Sequence, residues 1–291
     1  MKILINALSG IGDALMFTPA LALLKKHSPE SIIDIAVMFK PVEDLFKNNP
    51  HVNKVYFIDF LKQSKFKSLK QTLELRKLKY DVSINVYPSN RREYNLVQYL
   101  QGAKVKIAHR YNNYSKSNLD FLNNILIDEV KDRHNVIENF ELVKAAFPGM
   151  NAEETGPLEV YLTRDNADFA ERYFNDNGLN DKLTIGFHAG SATFKGHINK
   201  RWSPVKYASL AKQLVMQYNA RILLFGTEKD VNEMIQTLGG KNVIILETKN
   251  LMESLALMEK CSLFVSNDSA LMHMAAGLAI PQVAVFAYTN Y

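Results

Sequence analysis

Residues 3–20 read ILINALSGIGDALMFTPA, and the order of features in this stretch decides the fold. Ile3-Leu4-Ile5-Asn6 is a short apolar run rich in β-branched residues, the pattern of a strand buried on both faces. A glycine-bearing loop, Ser9-Gly10-Ile11-Gly12-Asp13, follows it. Thr18-Pro19 then reads as an N-cap with proline at the first helical position. Strand, glycine loop and helix open a βαβ unit, and the same alternation continues down the chain.

In the first half, strands are expected at Ile3–Asn6, Ile32–Val37, Val55–Ile58 and Val82–Val86, with a weaker one near Ile107. Helices are expected at Thr18–His27, Val42–Asn48, Phe66–Leu78, Arg91–Gln101 and Val136–Phe147, with Gly102 as a helix stop. The second half starts the pattern again with a helix near Asp165–Asn177. Strands follow at Leu183–Phe187, Arg221–Phe225, Val243–Ile245, Leu263–Ser266 and Val283–Phe286, and Ser203-Pro204 and Asn250 look like helix starts. The acidic, Pro/Gly-containing stretch 148–157 is the expected linker. This divides the chain into residues 1–155 and 156–291. Two Rossmann-like α/β domains in tandem are expected to face a central cleft and bind ligands beyond the carboxyl ends of their strands.

The length of 291 residues suits two domains, and 47% hydrophobic with 22% charged residues is a globular composition. No apolar run reaches the roughly 18 residues of a membrane span. No cleavable signal region precedes the first strand. A single cysteine, Cys261, excludes an internal disulfide framework, and these features together favour the cytoplasm. The net charge of +5 is uneven, since residues 1–155 hold 22 Lys+Arg against 17 Asp+Glu. Lys62, Lys65, Lys67, Lys70, Arg76, Lys77 and Lys79 supply much of the excess. The run reads either as a solvated helix face or as a surface meeting an anionic acceptor or membrane. No recognition motif accompanies it, so nucleic acid is not the expected partner.

Three segments carry the chemistry. In the first-strand loop, Leu15 stands where a dinucleotide fingerprint needs its third glycine, and the Asp13 carboxylate would repel a diphosphate. Asp13 therefore reads either as a general base aimed into the cleft or as the cap of a short helical turn. In the second segment, strand Leu263–Ser266 runs into Asn267-Asp268-Ser269-Ala270 and a small-residue helix, which places free N–H groups at a strand's carboxyl end. Asp268 is there as an N-cap or a partner for sugar hydroxyls. His273 is either structural or a donor to a phosphate or sugar oxygen. In the third, His188-Ala189-Gly190-Ser191 ends a strand, and the following loop carries Lys195, His197, Lys200 and Arg201 without an acidic residue. Gly190 and Ser191 offer donors to phosphate, while Lys200 and Arg201 suit the charge that grows on a departing diphosphate. Trp202 reads as a packing anchor. The chain contains no Asp-x-Asp, no histidine pair with zinc spacing, and no Walker, kinase or Gly-x-Ser-x-Gly signature.

Taken in order, these segments resemble glycosyltransferase family 9, the ADP-heptose:lipopolysaccharide heptosyltransferases, over essentially the whole chain. The resemblance is carried by Gly10-Ile11-Gly12-Asp13, Thr18-Pro19-Ala20-Leu21, Asp34, Asn49-Pro50-His51-Val52, Tyr80-Asp81-Val82 and His134-Asn135-Val136. In the second half it is carried by Lys200-Arg201-Trp202, Asn267-Asp268-Ser269, His273-Met274-Ala275-Ala276 and Pro281. It implies a GT-B architecture, with an acceptor-side first domain and a nucleotide-sugar second domain. It also implies inverting, metal-independent transfer without a cofactor, the co-substrate being a nucleotide sugar such as ADP-heptose.

The resemblance makes Asp13 the catalytic base and Lys200 a contact to donor phosphate. Asp268, Ser269 and Ala270 are expected to hold the donor sugar and diphosphate, and Gly226, Glu228 and Lys249 to form the nucleoside side. Gly10, Gly12 and Arg91 fall on the acceptor side. The implied acceptor is an anionic glycolipid or polysaccharide, and the basic first half is compatible with peripheral contact at the cytoplasmic face of the inner membrane. Three departures stand out. Ala270 replaces a usual glycine, Ala287-Tyr288-Thr289 replaces Gly-Pro-Thr, and relatives continue past Tyr291 with further helices. The Ala270 methyl would crowd a close approach to phosphate, and the second departure admits another nucleotide sugar for O-antigen or capsule. The third admits a shortened chain or a binding module with impaired catalysis. A Rossmann oxidoreductase fits poorly, given Leu15 and Asp13.

Overall fold

The computed structural model describes residues 1–111, 118–150, 155–191 and 201–287. Contacts divide the chain into two compact units, Met1–Tyr161 and Leu162–Tyr291. The division lies a few residues past the 155/156 boundary read from the sequence. Glu159 donates its backbone N–H to the Thr18 hydroxyl (2.9 Å), and the Tyr161 hydroxyl meets His51 Nε2 (3.3 Å), so both belong with the first unit.

The first unit is built on a parallel sheet of six strands among the described residues: β1 (Lys2–Ala7), β2 (Ile32–Val37), β3 (Lys54–Phe57), β4 (Val82–Asn85), β5 (Val105–Arg110) and β6 (Ile125–Asp128). Their spatial order is β3-β2-β1-β4-β5-β6. Strand β1 pairs with β2 on one side and β4 on the other, so Ile3, Leu4 and Ile5 are wholly buried, as their unbroken apolar run requires. Helices α1 (Ile11–Leu15), α2 (Thr18–His27), α3 (Lys40–Phe46), α4 (Lys65–Arg76), α5 (Arg92–Gln101) and α6 (Asn135–Ala146) connect and cover the sheet. Strand β6 is absent from the sequence reading because it is a four-residue, half-buried edge strand with little periodic signal.

Thr18 differs from expectation. It is the first helical residue of α2 rather than its cap, and Phe17 takes the cap position. Its hydroxyl is instead spent on tertiary contacts, donating to the Leu15 carbonyl (2.8 Å) while accepting from Glu159. Asp34, buried in β2, is structural: it accepts from the Tyr80 hydroxyl (2.6 Å) and from Asn53 Nδ2 (2.8 Å).

The second unit repeats the scheme on a smaller scale. Strands β7 (Thr184–His188), β8 (Arg221–Leu224), β9 (Val243–Ile245), β10 (Leu263–Asn267) and β11 (Gln282–Val285) form a parallel sheet in the order β11-β10-β7-β8-β9. Helices α7 (Arg164–Asp176), α8 (Pro204–Tyr218), α9 (Lys229–Gly239), α10 (Leu251–Glu259) and α11 (Ala270–Gly277) accompany it. Phe187, Tyr207, Ala211, Ile222, Leu224 and Ile235 form its core, joined at the edge by Trp202. Asn250 caps α10 by accepting from the Glu253 N–H, as its sequence position predicts. In both units the strand order reverses once, between β1 and β4 and between β7 and β10, and doubly wound sheets bind ligands at the carboxyl ends of such switch points.

Candidate functional site

At the second unit's switch point, the last residue of β10 does the assembling. Asn267 is fully buried, and its Nδ2 donates to the carbonyls of Ala189 (2.8 Å) and Gly190 (3.3 Å). Its Oδ1 accepts from the Trp202 backbone N–H (2.9 Å) and the Tyr207 hydroxyl (3.2 Å). One amide thus ties the ends of β7 and β10 to the start of α8.

His188, the last residue of β7, stands at the centre. Its Nδ1 lies 2.9 Å from Ser269 Oγ, and its Nε2 lies 3.7 Å from Glu228 Oε2. Arg201 donates from Nε to Ser191 Oγ (3.0 Å) and from its guanidinium to the Ser191 carbonyl and to Glu228 Oε1 (3.4 Å). Burial alone pushes the Glu228 carboxyl up. The nearby His188 ring and the Arg201 guanidinium outweigh burial and hold it below the ordinary glutamate value. A carboxyl depressed on folding adds stability above that ordinary value and loses it as pH falls through the folded value.

Two glycines make room for this carboxylate. A Cβ at Gly190 would sit 2.2 Å from the Glu228 carboxyl carbon. Gly226 has φ +96°, and a Cβ there would lie 2.7 Å from both Glu228 Oε2 and His188 Cδ2. Gly190→Ala is therefore expected to cost about 1–3 kcal/mol through forced displacement of Glu228. A urea unfolding midpoint equal to that of the parent protein would contradict this packing.

The other expected residues of the second unit fall around this network. Ser269 is the N-cap of α11 and Ala270 its first residue. Asp268 precedes the cap, so it is not the N-cap itself; its backbone N–H donates to the Val285 carbonyl (3.1 Å) and fixes the loop. His273 lies one turn into α11, half-buried. Lys249 sits beyond β9, exposed, with its backbone N–H held by Glu253 Oε2 (2.8 Å). Lys200, Lys195, His197 and Tyr288-Thr289 lie outside the described residues.

In the first unit, Asp13 is the third residue of α1, whose N-cap is Gly10. Asp13 therefore does not cap the turn. Its Oδ1 faces Asn135 Nδ2 at 3.5 Å, and Asn135 opens α6. Two further residues of α6 hold that helix in place. Asn139 accepts from the Tyr87 N–H (2.9 Å) and donates to the Met16 carbonyl (3.4 Å). Glu138 is fully buried, accepts from the Val130 N–H (3.0 Å), and lies 2.8 Å from His109 Nε2 and 3.7 Å from Arg133. Burial drives the His109 imidazole down to about 4, so it is neutral, and burial raises the Glu138 carboxyl above its ordinary value.

Arg91 is the exposed N-cap of α5. Burial pushes the nearby Tyr94 hydroxyl up, Arg91 opposes that and Asp13 adds to it, so both charges lie within electrostatic reach of one group. That hydroxyl donates to the Leu8 carbonyl (3.1 Å) and pins the loop leading to Gly10 and Gly12. Asn135, His188 and Asn267 lie in motifs the sequence reading quotes without a role, while His109, Glu138 and Asn139 carry no local signal. Their partners are far away in sequence.

A family model described as glycosyltransferase family 9 (heptosyltransferase) matches residues 68–291. The chain belongs to glycosyltransferase family 9. It is a glycosyltransferase. Over its full length this family 9 chain is 28% identical to lipooligosaccharide heptosyltransferase 2 of Haemophilus influenzae, covering 84% of that protein. It is 26% identical to lipopolysaccharide heptosyltransferase 2 of Escherichia coli, across 98% of the chain and 82% of the relative. Among solved structures, a family 9 glycosyl transferase from Veillonella parvula superposes with a TM-score of 0.81 at 22% identity, over 97% of this chain and 79% of that one. Escherichia coli ADP-heptose LPS heptosyltransferase II gives 0.79 at 24% identity, over 100% and 86%. The α/β fold of the GT-B kind, with two Rossmann-like units, is thus the observed fold class.

Proposed function

We propose that this family 9 glycosyltransferase moves a heptose from ADP-heptose onto a lipopolysaccharide-core acceptor, in one inverting displacement that needs no metal. The observation that carries the reading is the buried network at the β7/β10 switch point. It holds a charged Glu228 beside the Ser191 and Ser269–Ala270 donors, where one ligand can meet a carboxylate and anion-binding groups together. Glu228 accepts from ribose hydroxyls. Ser191, the free N–H groups at the start of α11 and Lys200 take up the charge that develops on the departing diphosphate. Asp13, oriented by Asn135, removes the proton from the acceptor hydroxyl. Heptosyltransferases among the relatives, one of them solved with ADP, support the choice of donor.

The test is calorimetric titration of the purified protein with ADP, GDP, UDP and NAD in the absence of divalent metal. ADP is expected to bind selectively in the micromolar range, with Glu228→Gln and Lys200→Ala each weakening it about tenfold or more. Selective binding of GDP or UDP would instead assign another nucleotide sugar, the reading that Ala287 in place of the family glycine favours. Absence of binding by all four would remove the donor assignment from this switch point.

A further inference from the structure

Two neighbouring helices of the first unit are amphipathic in the sense opposite to that of a water-facing surface. Helix α4 turns Ser68 and Thr72 inward with Leu75 and presents Phe66 (78% exposed), Leu69 (44%) and Leu73 (38%) outward. Helix α5 buries Asn95, Gln98 and Gln101 while exposing Leu96 and Tyr99. The buried polar groups are built in. Gln98 Nε2 donates to the carbonyls of Ser83 (3.0 Å) and Ile107 (3.1 Å), Gln101 Nε2 to Asn6 Oδ1 (2.8 Å), and Thr72 to the Ser68 carbonyl (2.8 Å). The crossovers from β3 to β4 and from β4 to β5 step the same way across the sheet, and right-handed connections place both helices on one face. They pack against each other, so their outward surfaces adjoin.

The rim of this apolar face is cationic. Residues 62–79 carry Lys62, Lys65, Lys67, Lys70, Arg76, Lys77 and Lys79 against Glu74 alone. Lys70 and Lys77 line a shallow groove with Phe66, Leu69 and Leu73. A second copy docking on this face would bring like charges together, and a soluble polyanion would leave the aromatic and leucine side chains in water. A bilayer with anionic headgroups satisfies both halves of the pattern. We propose that the α4–α5 face docks on an anionic lipid bilayer, with Phe66, Leu69 and Leu73 entering the headgroup boundary and the surrounding lysines meeting lipid phosphates.

Cosedimentation with extruded vesicles tests this. The chain is expected to partition onto phosphatidylglycerol-containing vesicles and not onto pure phosphatidylcholine, and to be released as salt shortens the screening length. The triple variant Phe66→Ser/Leu69→Ser/Leu73→Ser is expected to lower partitioning at least about tenfold, and Lys62→Gln/Lys65→Gln/Lys70→Gln/Lys77→Gln about a hundredfold. The melting temperature should stay unchanged in both, because these side chains face outward. Equal partitioning of the triple variant and the parent, or no binding to anionic vesicles, would overturn the proposal. So would a dimer in sedimentation velocity that the triple variant abolishes, since that would give the face to a second copy.

Discussion

Asp13→Asn is expected to lower turnover by about 10²–10⁴, the usual contribution of a positioned general base. The asparagine is isosteric, keeps the short helix Ile11–Leu15, and can still hydrogen-bond to Asn135, so the loss isolates proton acceptance from geometry. KM for donor should change little, because the proposed donor network around His188, Glu228 and Ser269 lies in the second unit. Asn135→Ala removes an orienting amide while leaving the carboxylate, and a smaller loss, on the order of tenfold in kcat, is expected. Steady-state kinetics at saturating donor and acceptor decide the matter. Near-parental kcat in Asp13→Asn would take the base role away from this residue.

The second large effect concerns the pair His109 and Glu138. Glu138→Ala would strand two buried donors, the His109 Nε2–H and the Val130 N–H, at about 1–3 kcal/mol each. A total loss on the order of 3 kcal/mol is expected in urea unfolding. The same pair sets a pH dependence. His109 titrates near 6.5 when unfolded and near 4 when folded, so the unfolded chain binds more protons between those values. The stability that comes from keeping the imidazole neutral is whole above the unfolded value and drains as pH falls toward the folded one. Going from about pH 7.5 to about pH 5 should cost up to about 2 kcal/mol, with the raised Glu138 carboxyl returning part of it. His109→Gln should flatten that slope. An equal slope in parent and variant would mean that another group controls it. The pair also seats the start of α6, from which Asn135 reaches Asp13, the proposed base.

Much of this protein is legible in its sequence. Thr18–His27, Ile32–Val37 and Val243–Ile245 coincide with the elements read from periodicity alone, because burial on one or both faces writes itself into local spacing. Two Rossmann-like halves follow from that alternation, and Asp13, Ser191 and Ser269 stand just past strand ends of such halves, Ser191 buried and the other two half-buried. What the local pattern does not encode is who meets whom. Thr18 reads as a cap by its neighbour Pro19 and becomes a clasp for Glu159, because a backbone N–H donor 141 residues away claims its hydroxyl oxygen. Arg201 reads as a phosphate ligand, yet it spends its guanidinium on Ser191 and Glu228. Gly190 reads as a donor of backbone N–H groups, and its lack of a side chain turns out to shelter the Glu228 carboxylate. The polar underside of α5 escapes any periodicity reading, since hydrogen bonds from Gln98 and Gln101 to Ser83, Ile107 and Asn6 offset burial that hydrophobicity would forbid. Hydrophobic spacing is a property of neighbours in the chain, whereas a hydrogen-bonded site joins groups that only the folded sheet brings together.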